Sequence, residues 1–279
     1  MQTNSASQTA LSNAYLRAAH QVVDSGTRIL NDPVALTLLG PQAEDRIRDA
    51  SEELMSPEVK ALRAHIVLRS RYTEDRLQLS ISRGISQYII LGAGFDTFAL
   101  RQPTWASALS IIELDHPETQ KTKQLRIQEA GILLPSNVTL VGVDFERESI
   151  ADALRRAGVD HSRPVFFSWL GVTMYLTPSA IASTLRSMAA SSAGSEAVLT
   201  FLEEPDSSSS TSRTLAERVA EAGEPFLSYF TPESVKETLL NAGFSQALLL
   251  SVDESACYFD EAEGSLTNPR RPCIISAIV

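Results

Sequence analysis

The spacing of apolar residues changes character at about residue 84. Before it, Leu11, Tyr15, Ala18, Ala19, Val22 and Val23 recur at the three- and four-residue intervals of one helix face. Asn31-Asp32-Pro33 and Leu39-Gly40-Pro41 punctuate short helices. Ser56-Pro57 reads as an N-cap followed by proline at the first helical position. From there Val59, Leu62, Ile66 and Leu68 open a longer helix that also carries Arg63, Arg69, Arg71 and Arg76. Residues 1–83 are therefore expected to be helical, either as a lid over a binding site or as plain helical padding.

After residue 84 short continuous apolar runs alternate with helical stretches. Tyr88 to Leu91 runs into Gly92-Ala93-Gly94, which suits a strand buried on both faces of a parallel sheet. Ser110 to Asp115, Val138 to Glu146, Val165 to Gly171 and Ala197 to Leu202 repeat the pattern. Glu203-Glu204-Pro205-Asp206 and Ser207 to Ser210 read as a polar connection. Thr231-Pro232 opens a helix that Gly243 closes, and Gln246 to Val252 and Cys273 to Ile278 are consecutive strands with a polar loop between them. The predicted architecture is α/β: seven strands, mostly parallel with one terminal antiparallel strand, and helices on both faces.

Composition narrows the function classes. The chain has 279 residues, 43% hydrophobic and 21% charged, with 24 basic against 34 acidic side chains and a net charge of −10. That balance, with no basic stretch interleaved with aromatics, argues against a nucleic-acid partner. No apolar run is long enough to span a membrane, and Met1 to Ser5 lacks the features of a signal peptide. Cys257 and Cys273 are the only cysteines, show no metal-ligand spacing, and are expected to be reduced in a cytoplasmic protein. No metal is expected.

The glycine loop carries the first chemical signal. Ligands of open α/β sheets bind beyond the carboxyl ends of the strands, and glycines there let backbone N–H groups come close. A dinucleotide site would want G-x-G-x-x-G, whereas position 97 is threonine and Asp96 places a negative charge where a pyrophosphate would lie. A cationic or zwitterionic ligand fits better, and S-adenosyl-L-methionine is one. Asp115 follows Gly94 by 115 − 94 = 21 residues, the distance at which nucleoside-binding folds place an acid on ribose hydroxyls; the alternative is a helix N-cap before His116-Pro117. Asp144 could accept from an adenine amino group with the ring packed on Phe145.

Leu91-Gly92-Ala93-Gly94-Phe95-Asp96-Thr97, Glu113-Leu114-Asp115-His116-Pro117, Val143-Asp144-Phe145 and Leu170-Gly171-Val172-Thr173-Met174-Tyr175-Leu176 occur in this order. The set resembles the leucine carboxyl methyltransferase superfamily, and more closely its bacterial branch of S-adenosylmethionine-dependent enzymes, which includes polyketide O-methyltransferases of the tetracenomycin type. The resemblance implies a class I methyltransferase (Rossmann-like) fold, with an acceptor-covering helical region over 1–83 and a cofactor-binding domain over 84–279. It implies that Gly92, Ala93 and Gly94 approach the methionine part of the cofactor, Asp115 the ribose, and Asp144 and Phe145 the adenine. It implies that Arg71, in Ser70-Arg71-Tyr72, pairs with the cofactor carboxylate. Leu170 stands where many family members carry glutamate, so a backbone carbonyl near Ser168 to Leu170, or Asp96, is expected to hold the cofactor ammonium.

The implied reaction is methyl transfer to a carboxyl or hydroxyl oxygen of a small molecule. A carboxylate acceptor needs no base, whereas a hydroxyl must lose a proton. The catalytic residue stays open: His20 in the helical region and Tyr175 after the fourth strand are the candidates. His116 is read as part of the turn near the ribose, and His65 and His161 as surface or packing residues. Methylation of a protein C-terminal carboxyl group, or a catalytically inactive S-adenosylmethionine-binding protein, are the alternatives.

Overall fold

The computed structural model describes residues 7–145, 147–204, 217, 220–221, 223–260 and 265–279. The polar connection expected at 203–210 lies outside them from Pro205 onward, as does Glu146 at the end of the expected third strand.

The amino-terminal part is helical: α1 (Gln8–Val22), α2 (Pro33–Leu38), α3 (Ala43–Asp49), α4 (Ser51–Leu54) and α5 (Pro57–Ile81). Side chains cap the first two of these helices: Ser7 accepts the Ala10 N–H and Asp32 the Ala35 N–H, whereas Ser56, the N-cap of α5, makes no side-chain cap bond. The rest alternates as β1 (Gln87–Leu91), β2 (Ser110–Asp115), α6 (Pro117–Glu129), β3 (Val138–Gly142), α7 (Ile150–Arg156), β4 (Val165–Trp169), α8 (Pro178–Ala189), β5 (Glu196–Thr200), α9 (Pro232–Ala242), β6 (Gln246–Leu249), α10 (Val252–Asp260) and β7 (Ile274–Ile278). The seven strands form one sheet in the order β3-β2-β1-β4-β5-β7-β6, with β7 antiparallel to both of its neighbours and the others parallel.

Two-residue periodicity splits the core into two layers. Ile89 and Leu91 of β1 join Ile112, Leu114, Phe167 and Trp169 on one face, under α7, α8 and α9. Tyr88 and Ile90 point the other way, to Ile111, Phe166 and Val198, where α5 supplies Val67, Leu68 and Leu77. Helix α5 therefore belongs to the second face of the sheet. Helices α1 to α4 form a smaller cluster around Leu16, Ala19 and Ile47, closed by Ile66 from another side of α5. Among the described residues no helix is long and apolar enough to cross a membrane.

One element departs from the expected pattern. The run Gln246 to Val252 stops as a strand at Leu249, and Val252 begins α10. Ser251 and Glu254 form a reciprocal cap: Ser251 Oγ accepts the Glu254 N–H (3.2 Å) and Glu254 accepts the Ser251 N–H (2.9 Å). Such a box starts a helix even after an apolar run.

Candidate functional site

Strand order reverses between β1 and β4, and a cleft of about 630 Å³ opens beyond their carboxyl ends. Its floor is the turn after β1. Gly92 and Gly94 adopt φ of +65° and +50°, a region that side chains resist. A Cβ on Gly92 would lie 2.3 Å from Val172 Cγ2, and one on Gly94 would lie 3.0 Å from Ala10 Cβ. The glycines thus let the loop after β4 and helix α1 close on the turn from two sides.

Asp115, at the end of β2, faces this turn. Its Oδ2 accepts the Gly94 N–H and its Oδ1 the His116 N–H (2.6 Å). Burial raises its pKa above the usual aspartate value even against these two donors. The capping role belongs to His116, whose Nδ1 accepts the Glu118 N–H (3.3 Å), so Asp115 is left to the cleft. Ala93, Asp144, Phe145, Leu170 and Tyr175 also line the cleft, with Asp144 3.5 Å from Arg147 Nε. Leu170 brings no charge there. Asp96 does, with its Oδ1 accepting the Phe98 N–H (2.8 Å).

Two expected site residues lie elsewhere. Arg71 is on the outer side of α5, half-exposed and paired with Asp75 (3.0 Å). Positions two apart on a helix point about 200° away from each other. Arg69 is the one that faces inward; it is buried and lines the cleft. Among the described residues Arg69 makes no ion pair, and its guanidinium rests where a Cβ on Gly171 would be, 2.7 Å from Nη1. Burial and the nearby Arg17 lower its pKa to about 10. His20 is sealed away from the cleft as well. Its Nδ1 bonds Asp24 (2.9 Å) and its Nε2 accepts the Leu30 N–H (3.5 Å), so neither nitrogen remains for a ligand.

A second chamber of about 930 Å³ adjoins the first and shares Thr9, Asn13, Arg69, Gly171 and Tyr175 with it. Tyr175 stands at the junction. Burial pushes its hydroxyl pKa up to about 12, and its ring packs 5.5 Å from that of Phe226. His65, read from the sequence as a surface or packing residue, lines this chamber. The sequence signal for Arg69 and His65 was their spacing: they sit four apart on α5, and Arg69 continues the apolar stripe Leu62, Ile66, Thr73, Leu77. Cys273, also in the chamber wall, has its thiol pushed up to about 12 by burial, which removes it as a nucleophile near neutral pH. Among the described residues no cluster of three or more His, Cys, Asp or Glu could hold a metal.

This layout has relatives. A Bacillus subtilis protein named "Putative S-adenosyl-L-methionine-dependent methyltransferase YktD" is 30% identical, over 91% of either chain. Among solved structures, a DUF574 family protein of Streptomyces avermitilis shares the fold at a TM-score of 0.59 and 16% identity, covering 87% of this chain and 93% of its own. A "putative methyltransferase" of Thermobifida fusca does so at 0.59 and 18%, covering 95% and 92%. The sequence model described as leucine carboxyl methyltransferase matches residues 10–189, most of the chain from α1 through α8. The chain belongs to the leucine carboxyl methyltransferase family.

Proposed function

We propose that the chain is an S-adenosyl-L-methionine-dependent O-methyltransferase with a small-molecule acceptor. The observation that carries this reading is Arg69: a buried guanidinium without an ion pair among the described residues, at the boundary between a glycine-floored cleft and a second chamber. A buried cation of this kind calls for an anion from outside.

The residues fit the cofactor. Arg69 suits its carboxylate, since guanidinium pairs with carboxylate through two parallel charge-assisted hydrogen bonds. Gly92 and Gly94 leave the turn open to a close approach. Asp115 keeps acceptor capacity beyond its two backbone donors and suits ribose hydroxyls. Asp144 and Phe145 suit the adenine edge and face. Asp96, in place of the absent Leu170 carboxylate, suits the ammonium.

When bound, the cofactor supplies a methyl group on a positively charged sulfur, already a good leaving group. The protein's part is then to align donor and acceptor and to exclude water. Tyr175 and Thr9 at the junction, with α1 laid over the turn at Ala10, suit that task. The same reading keeps the chain in the cytoplasm, where the unbridged Cys257 and Cys273 stay reduced.

Calorimetry with S-adenosylhomocysteine tests the cofactor assignment, and label transfer from methyl-labelled cofactor to a panel of phenols and carboxylic acids tests the reaction. Failure of S-adenosylhomocysteine to bind at millimolar concentration would refute the reading.

A further inference from the structure

Asp32 reads from the sequence only as punctuation before Pro33. Its place in the fold says more. It is fully buried and meets two guanidiniums that come from different elements. Arg17 of α1 donates from Nε to Oδ2 (3.0 Å), and Nε of Arg101, past the turn after β1, lies 3.4 Å from Oδ1. Oδ1 also accepts the Ala35 N–H (3.1 Å). Arg101 pairs in addition with Glu74 of α5 through both of its terminal nitrogens. Although burial alone would raise it, the two arginines lower the Asp32 pKa, so the group is an anion near neutral pH.

A buried network of this kind is a weak source of net stability, because desolvation offsets the attraction. What sets it apart is where its other donors point. Arg17 Nη2 donates to the Phe95 carbonyl, and Arg101 Nε donates to Thr97 Oγ1 (3.2 Å). Those residues stand on either side of Asp96. The peptide between Phe95 and Asp96 is held at both ends, since its N–H bonds the Ala93 carbonyl (2.7 Å). Asp96 Oδ1 is fixed in turn by the Phe98 N–H (2.8 Å), while Oδ2 has no hydrogen bond or ion pair among the described residues. The network is neutral without it, with Asp32 and Glu74 facing Arg17 and Arg101. Asp96 is the carboxylate left over, and it lines the cleft.

We propose that Asp32 is a positioning residue for the cofactor: through Arg17 and Arg101 it holds the turn so that the Asp96 carboxylate faces the cofactor ammonium. The inference rests on the S-adenosylmethionine reading and deepens it, by naming what sets the strength of that one contact. A carboxylate on a loose loop must be ordered as the ligand arrives, which costs affinity, whereas one held beforehand avoids that cost. The same bonds tie α1, laid over Gly94 at Ala10, to the turn it covers. Asp32 borders neither cavity, so its effect reaches the ligand only through the turn.

S-adenosylhomocysteine and its desamino analogue, in which hydrogen replaces the ammonium, are the probes, compared by calorimetry. Wild-type protein is expected to prefer S-adenosylhomocysteine about tenfold or more. Asp96→Asn should bring the two affinities to within about threefold of each other. Asp32→Asn should lower the preference at least about threefold while the desamino analogue binds within about twofold of wild type. Arg17→Lys keeps a cation beside Asp32 but cannot bond Asp32 and the Phe95 carbonyl together. It should lower the preference in the same way, and it serves where Asp32→Asn folds poorly. In an Asp96→Asn background neither change should alter the ratio further.

A merely structural Asp32 would weaken both ligands alike and leave their ratio at the wild-type value. That outcome, or a wild-type protein without the preference, would overturn the proposal. In the ligand-free protein, hydrogen exchange of the Asp96 and Phe98 N–H groups should quicken about tenfold in Arg17→Lys, with Ile89 to Leu91 unchanged. Unaltered exchange at Asp96 and Phe98 would overturn it too. If neither nucleoside binds, the methyltransferase reading falls, and the exchange rates still decide whether Arg17 and Asp32 hold the turn.

Discussion

The two cavities are built by different means. The cleft beyond β1 and β4 is made of strand ends and the turns that follow them, so its walls are placed by the sheet register. It mixes charges, with Asp96, Asp115, Asp144 and Glu224 against Arg17, Arg69 and Arg147. The chamber is made of helix faces and connections far apart in sequence, from Gln8 to Cys273, and among the described residues no aspartate or glutamate lines it. A cleft lined by fixed backbone can serve one invariant ligand, while a chamber lined by side chains on helices can be re-cut for different acceptors. The difference also separates what each cavity depends on, and that can be tested.

The largest expected effect concerns what holds the chamber's walls together. Asp24, after α1, accepts two hydrogen bonds from Arg63 of α5 (2.7 and 2.8 Å), one from His20 (2.9 Å) and one from Ser265 (2.8 Å), so it ties α1 and α5 to the carboxyl-terminal loop. Removing its charge in Asp24→Asn leaves Arg63 buried without an anion and should cost about 3–5 kcal/mol in urea unfolding. Although burial alone would raise it, Arg63 and His20 hold the Asp24 carboxyl well below the usual range. A folded pKa below the unfolded one means that this stability is present above about pH 4 and is lost as pH falls through the folded value. A flat stability profile down to pH 2 would contradict the assignment.

Next comes the cleft floor. Gly92→Ala adds a Cβ in the left-handed region and 2.3 Å from Val172, so S-adenosylhomocysteine affinity should fall about 100-fold or more by calorimetry. Trimming the obstacle in a Gly92→Ala, Val172→Ala double variant should recover part of it, since only the steric share is relieved. The third test separates the two arginines of α5. Arg69→Gln should weaken S-adenosylhomocysteine about 10- to 100-fold but leave 5′-methylthioadenosine, which lacks the carboxylate, nearly unchanged. Arg71→Gln, on the outer face, should change neither by more than about twofold. Equal effects at both positions would undo the placement of the cofactor carboxylate.

The smallest effect is a pH dependence that distinguishes the cavities. Burial raises Asp115, so its ionised form is the disfavoured one in the folded protein without ligand, and that penalty on stability fades as pH falls through its raised pKa. Cofactor affinity should decline over the same range, at a higher pH than an ordinary aspartate with a pKa of about 4 would give. The chamber, with no aspartate or glutamate among its described lining residues, has no counterpart to this titration. Calorimetry with S-adenosylhomocysteine across pH reads the decline, and an affinity that stays flat down to about pH 4 would contradict it.

Most of the sheet and most of the cleft were legible from local pattern. Continuous apolar runs of five or six residues place buried strands, and glycines at their ends place turns, because both depend on backbone preferences that neighbours in sequence already settle. The acid at the end of β2 and the Asp144-Phe145 pair follow from strand ends, and all three do line the cleft. Helix α10 was legible too, in Ser251 and Glu254, but an apolar run before it drew attention to a strand.

What only the tertiary structure decided is which side of α5 is the inside. The sequence carries arginine at 69 and 71 alike, and a short motif cannot rank two positions pointing opposite ways until the sheet claims one face. The same packing sealed His20 against Asp24 and placed His65 in the wall of a chamber that is also lined by Arg271 and Cys273, more than 200 residues later. Local sequence fixes elements because their energetics are local. A cavity between elements is set by long-range packing, which no stretch of local sequence contains.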